Sequence, residues 1–271
     1  MAIFIQKPWY KKQGKTYQGI WVPKTWNGLS IIDGRDVWSD GDNIYYSNNN
    51  MGGGQYVLNK STSTWSQKTW NKSFSGRDIW VANNNVYESH EYNESYYHYI
   101  LNKSTSAWES HGWGQWYSDF IGRDVWTDGS NYYACDSNDP QYDQYVIKFP
   151  YGSDYKSWQG ANPVGRYVWT DGTDIYYSNG GNQYVLNKST SSWSIKTWDK
   201  SPIVNLDGEY IWTDGDYTYF STASYQYVLD KSTNSWLAKT WEGYQQIIGC
   251  SVWTDGDHIY YSNGGNNYEL T

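Results

Sequence analysis

GRDVWSDGDNIYYS, residues Gly34–Ser47, reads as two short β-prone runs joined through an Asp-Gly step, and the phrase returns five times. It reappears as GRDIWVANNNVYES from Gly76, GRDVWTDGSNYYAC from Gly122, GRYVWTDGTDIYYS from Gly165, GEYIWTDGDYTYFS from Gly208 and GCSVWTDGDHIYYS from Gly249. The anchor tryptophans Trp38, Trp80, Trp126, Trp169, Trp212 and Trp253 lie 42, 46, 43, 43 and 41 residues apart. A self-similar period of this size marks a repeat architecture, and the repeat has to be found before any other feature is interpreted.

A second phrase tracks the first: YVLNKSTSTW from Tyr56, YILNKSTSAW from Tyr99, YVLNKSTSSW from Tyr184 and YVLDKSTNSW from Tyr227. Each unit thus holds four short runs rich in aromatic and β-branched residues, punctuated by Asp-Gly, Asn/Gly and Asn-Lys-Ser-Thr turns. Helical periodicity is absent. Four antiparallel strands in about 43 residues is the size of a propeller blade. Solenoid rungs are shorter, and isolated four-stranded sheets would leave their edges exposed. The expected fold is therefore an all-β, six-bladed β-propeller of four-stranded antiparallel blades, a single domain over 1–271.

The ends predict how the ring closes. The sixth unit stops at NNYELT, which matches a third run and lacks a fourth. Near the start, IWVPKTW (Ile20–Trp26) matches TWSQKTW and SWSIKTW, so a strand within about 19–26 is expected to complete the last blade.

The pattern resembles the kelch repeat family from about Gly19 onward. The features that carry this are the Ile-Tyr run, the glycines Gly52-Gly53-Gly54, Gly180-Gly181 and Gly264-Gly265, then a Tyr, a polar turn, a Trp, and an Arg leading into the next blade. Gly-Gly fails in units two, three and five, and the Arg fails in the last two. The resemblance implies a propeller used mostly for binding.

Composition narrows the function. The chain has 30 Tyr and 19 Trp against 5 Phe, so many rings can be buried while each Tyr or Trp keeps a polar handle. A formal net charge of -8 argues against nucleic acid and against anionic membrane surfaces. The opening MAIFIQKPWYKK has too short an apolar run for a secretory signal, and nothing approaches a transmembrane span. A cytoplasmic or virion-associated location is expected. Cys135 and Cys250 form no disulfide framework or metal pair, and no cofactor or metal is expected. The Asp pairs of WTDGD are read as hairpin turns rather than calcium ligands, and the Asn-Lys-Ser sequons as turns. No nucleophile elbow, His-Glu-x-x-His or phosphate loop occurs, so an enzyme is not expected.

Candidate binding residues follow from propeller topology. The turns between strands one and two and between three and four share one face and are nearly uniform. The two-to-three and four-to-one connections share the other face, and there the units stop agreeing. That variable face is expected to take a glycan or protein partner. Its candidates are the tryptophans that open the four-to-one connections (Trp26, Trp70, Trp113, Trp158, Trp198 and Trp241), with Tyr92, Tyr96 and Tyr97 of unit two. Five of these tryptophans follow another Trp by five residues. In a regular strand such positions point to opposite faces, so both cannot pack into one inter-blade layer without a bulge. One of each pair is expected in the core and the other as a cap or a partly exposed ring. Arg35, Arg77, Arg123 and Arg166 precede the innermost strands; they either form an anion-binding ring or bond an Asp across the blade interface. The expected role is recognition, as a carbohydrate- or surface-binding component of a phage or bacterial assembly. The other reading is an intracellular kelch-type adaptor, which would normally carry further domains. YVIKFPYGSDYKSW (Tyr145–Trp158) replaces the usual turn in unit three and is expected to make a specialised contact.

Overall fold

The computed structural model describes residues 19–48, 54–92, 95–111, 120–135, 144–149, 153–199 and 205–271. In it six four-stranded antiparallel sheets form a six-bladed β-propeller. Blade one shows the pattern: strands Val37–Ser39, Ile44–Asn48, Gly54–Asn59 and Thr64–Gln67, each paired to the next. In the last blade, Trp21–Pro23 pairs with Asn266–Leu270, with Trp21 opposite Leu270. The N-terminal strand therefore supplies the fourth strand that the sixth repeat lacks.

Turn chemistry explains the uniform face. Gly41, Gly129, Gly172, Gly215 and Gly256 take positive φ in their four-residue loops, whereas blade two pairs as far as Ala82 and Asn85 and turns tightly through Asn83 and Asn84 at φ 49° and 63°. The Asp before each glycine locks the loop. Asp40 Oδ1 accepts from the backbone N–H of Asp42 and Asn43, while Oδ2 accepts from the Tyr45 hydroxyl at 2.9 Å. Asp128, Asp214 and Asp255 repeat all three bonds. These carboxylates are engaged as acceptors within their own turns. The lysine of the Asn-Lys-Ser-Thr turn has a further role. Lys60 donates to the carbonyl of Asp255, Lys103 to that of Asp40, Lys188 to that of Asp128 and Lys231 to that of Asp171, so each turn ties its blade to the preceding one.

At the axis, each repeat's Gly-x-x tripeptide makes one 3-10 turn, and neighbouring turns touch all the way round the ring. A Cβ on Gly76 would overlap the carbonyl oxygen of Asp36. Gly122, Gly165, Gly208, Gly249 and Gly34 stand in the same relation to Asp78, Asp124, Tyr167, Tyr210 and Ser251.

Between blades the core divides into six clusters, one per interface. Five hold a tryptophan triad with ring centroids 5.5–6.2 Å apart: the first-strand Trp of one blade, the Trp opening its outgoing connection, and the fourth-strand Trp of the next. Trp38, Trp70 and Trp108 are one such set. In the four pairs that lie within the described residues, Trp21/Trp26, Trp65/Trp70, Trp193/Trp198 and Trp236/Trp241, the two rings belong to different interfaces, the second filling the next one.

The remaining interface, between blades two and three, is built differently. Ser153 stands at the fourth-strand Trp position, opposite Ile147, and Phe149 packs instead against Trp80, Tyr87 and Tyr132. The unusual turn of unit three thus fills a core gap, a packing contact rather than an exposed one. Its residues 150–152 lie outside the described part.

Two substitutions test this architecture. Trp21→Ala removes a fully buried ring shared by the closing strand and the interface between blades five and six. It should cost about 3–5 kcal/mol and lower Tm by roughly 10 °C. Gly122→Ala should prevent normal folding or destabilise the protein severely. Gly181→Ala, which meets nothing within 4 Å, should change little. Thermal denaturation of the three variants checks both claims, and a Gly122→Ala protein as stable as Gly181→Ala would refute the axial contact.

Candidate ligand-binding face

The face carrying the two-to-three and four-to-one connections is assembled from parts that leave the repeat pattern. At the channel mouth the second residue of each axial turn is Arg35, Arg77, Arg123, Arg166, Glu209 and Cys250 in order round the ring. Arg77 donates from Nε and Nη2 to Asp36 of the preceding blade at 3.1 and 3.3 Å, and Arg166 likewise to Asp124 at 2.8 and 2.7 Å. Arg35 pairs with Asp33 of its own connection at 2.7 Å. Asp36 and Asp124 are fully buried, so these are desolvated pairs in which loss of one partner strands the other. Three of the four guanidinium groups are thereby engaged by carboxylates. Burial pushes the Asp78 carboxyl up to about 7, with nearby Arg123 pulling the other way.

The candidate tryptophans are placed in the inter-blade layers. Trp26, Trp158 and Trp241 are buried, and Trp70 and Trp198 are mostly so. A lysine two residues earlier in sequence lies over each ring: Lys24, Lys68, Lys156, Lys196 and Lys239, with Nζ 4.4–5.0 Å from the ring centroid. This corrects their reading as ligand platforms, because the aromatic faces are covered by neighbouring tryptophans and by their own lysines. Trp113 lies outside the described residues. Tyr92 and Tyr96 sit on the two long strands of blade two, Asn85–Tyr92 and Ser95–Asn102, with side chains outside the described part. Tyr97 is exposed and stacks on His90, centroids 5.6 Å apart.

Two features escape a search for chemical motifs. In blade two, Glu88 is buried and its Oε1 meets His90 Nδ1 at 2.6 Å. Beside blade five, Ser224, Tyr225, Tyr227, Lys239, Gln245 and Gln246 border an open groove of about 550 Å³. Tyr225 is 60% exposed there and stacks on Tyr227. The available signal for both was a break in a repeat column, Glu88 where units one, four and six have Tyr and unit five has Phe, and STASYQ where units four and six have SNGGNQ and SNGGNN.

No protein-family model matches the chain, and no curated protein matches its sequence. Among solved structures, it is similar to the extracellular domain assigned to the hybrid two component system BT4673 of B. thetaiotaomicron. That match has 11% identity and a TM-score of 0.50 over 87% of this chain and 33% of the other. The extracellular domain assigned to BT3049 of the same organism matches at 13% identity and TM-score 0.49, over 97% of this chain and 36% of the other. The chain spans about a third of the length of those structures, and the likeness concerns the propeller fold. Among the described residues no helix is long and apolar enough to cross a membrane.

The blade-two pair has a pH signature. Burial pushes the Glu88 carboxyl upward, opposed by its bond to His90; that same bond to Glu88 raises His90 against the effect of burial. For both groups the folded state holds its proton more tightly than the unfolded chain, so their contribution to stability falls as pH rises. The Glu88 part is lost from about 4.5 upward, and the His90 part as pH passes above its ordinary value near 6.5. Glu88→Gln removes the buried charge, so its Tm relative to wild type should be higher at pH 8 than at pH 5. Scanning fluorimetry across that range checks this, and a pH-independent difference would contradict it.

Proposed function

We propose that this chain is a non-catalytic binding propeller whose variable face takes a glycan or a glycan-coated surface. We read it as kelch-like in its repeat and as a component of a phage or bacterial assembly. The observation that carries this reading is the groove beside blade five. Its exposed Tyr225 ring, with Tyr227 stacked behind it, offers an apolar platform for a sugar face. Gln245 and Gln246, both exposed, bring amides within the same groove for hydroxyls. Gln226 is held in place beneath: it donates to the carbonyls of Thr222 and Ile247 and accepts from the Trp241 indole N–H. The platform thus rests on a fixed scaffold.

A glycan array with co-purification from the native source tests the reading. Binding to a defined saccharide class is expected, weakened roughly tenfold or more by Tyr225→Ala, the size expected for an aromatic anchor. An array without binding, together with a stoichiometric protein partner, would replace this reading with the adaptor one.

A further inference from the structure

The structure points to a second site in blade two, and we propose that it is a pocket for a single pyranose ring; the proposal rests on the glycan reading above. Its origin is visible in the register of the repeats. Val37 pairs with Tyr46, Val168 with Tyr177, Ile211 with Phe220 and Val252 with Tyr261, whereas Ile79 pairs with Glu88. In blades one and four the second-strand ring packs between a third-strand Tyr and a fourth-strand Trp. Tyr46 lies 6.3 Å from both Tyr56 and Trp65, and Tyr177 lies 5.9 Å from Tyr184 and 6.2 Å from Trp193. Glu88 has no ring to place there. What remains between Tyr99 and Trp108, the matching residues of blade two, is a cavity of about 210 Å³.

The cavity is below the ~300–1,000 Å³ of pockets that take drug-sized molecules, and it suits one six-membered ring. Phe74, Tyr99 and Trp108 give it aromatic walls, and Lys72 and Ser73 of the incoming connection line its exposed side. Lys72 Nζ sits 4.1 Å from the Tyr99 ring centroid. The polar end is also a replacement. Tyr46, Tyr177 and Tyr261 each accept through their hydroxyl from the asparagine two residues later, Asn48, Asn179 and Asn263. In blade two that pair has become Glu88 and His90. Glu88 is 1% exposed, Oε1 is held by His90, and Oε2 has no hydrogen-bond partner among the described residues.

A ring-sized space between aromatic walls, beside a buried carboxyl oxygen without a partner among the described residues, fits a ligand with an apolar ring face and hydroxyls on its edge. A pyranose has both. The ring would occupy the place of the absent tyrosine, with one hydroxyl donating to Glu88 Oε2. A buried acceptor of this kind discriminates strongly against rings lacking the matching donor, because such a ring leaves it unpaired.

The test restores the repeat. Glu88→Tyr/His90→Asn rebuilds the Tyr–Asn pair of blades one, four and six, so it should fold with an equal or higher Tm. Wild type is titrated with free glucose, galactose, mannose, N-acetylglucosamine and N-acetylgalactosamine, followed by tryptophan fluorescence and calorimetry. We expect at least one to bind, with affinity lowered at least tenfold in the restored variant and in Glu88→Gln, and unchanged in Gly181→Ala, which alters no residue of either site. If wild type binds glycans on an array but the restored variant binds the same sugars equally well, the blade-two pocket is refuted and the glycan reading stands. If no saccharide binds wild type in either format, both are refuted.

Discussion

The six glycine–carbonyl contacts around the axis are the constraint from which the rest of this propeller follows. Each blade's Gly presses on the backbone of the blade before it, and no side chain fits between them. The inner strands therefore approach at backbone distance, and the blades must diverge outward as wedges. The wedges need progressively more volume with radius, and the repeat supplies it with Trp triads between outer strands and first-strand tryptophans. The close contact also fixes where the axial charges go. With adjacent 3-10 turns touching, the arginine of one turn reaches the aspartate of the preceding one, as Arg77–Asp36 and Arg166–Asp124 do.

That arrangement explains how a chain with mean hydropathy of -0.86 builds a continuous core. The apolar volume is carried largely by indole and phenol rings, and in the first-strand column the indole N–H has a regular partner. The first-strand indoles of Trp38, Trp80, Trp169, Trp212 and Trp253 each donate to the serine nine residues later at 2.9–3.0 Å. In blade three that serine is Cys135, and the Trp126 N–H has no partner among the described residues. The fourth-strand indoles of Trp21, Trp65, Trp108, Trp193 and Trp236 likewise have no partner among the described residues, so their contribution to the core is packing rather than hydrogen bonding.

The fold was legible in the sequence because it depends on local, repeated signals. The period counted the blades, the missing fourth run at the C-terminus announced closure by Trp21–Pro23, and Asp-Gly marked the hairpins. What was not legible depends on long-range geometry. The five-residue spacing of Trp65 and Trp70 showed that they face opposite ways, but not that each belongs to a different interface. Lys60 read as part of a turn, because its partner, the carbonyl of Asp255, is 195 residues away. The role of Phe149 was hidden because the tryptophan it replaces is recognised only once Ser153 is placed in register with Ile147. The candidate site suffered most from this. Exposure of a Trp cannot be read from its recurrence, and the residues that line the cavity of blade two come from three strands and a connection.

Recurrence itself separates structure from function on this molecule. Blades four and six close their second hairpin with Gly180-Gly181 and Gly264-Gly265, two-residue loops between paired asparagines that present little side chain. Blade five lacks the glycines. A turn of the same length, closed by the Thr222 N–H donating to the Tyr225 carbonyl at 2.8 Å, carries Tyr225 in place of the asparagine and exposes its ring beside the groove. Blade two lacks them as well, and its lengthened hairpin carries Glu88, His90 and Tyr97. The column that holds Tyr46, Tyr177, Phe220 and Tyr261 is aromatic in four blades, so a glutamate there leaves ring-sized space that water or a ligand can fill. The same units that depart from the glycine pattern thus place aromatic and polar groups where a ligand can reach them, and the ring stays intact because the axial glycines and the Trp triads do not depend on these loops.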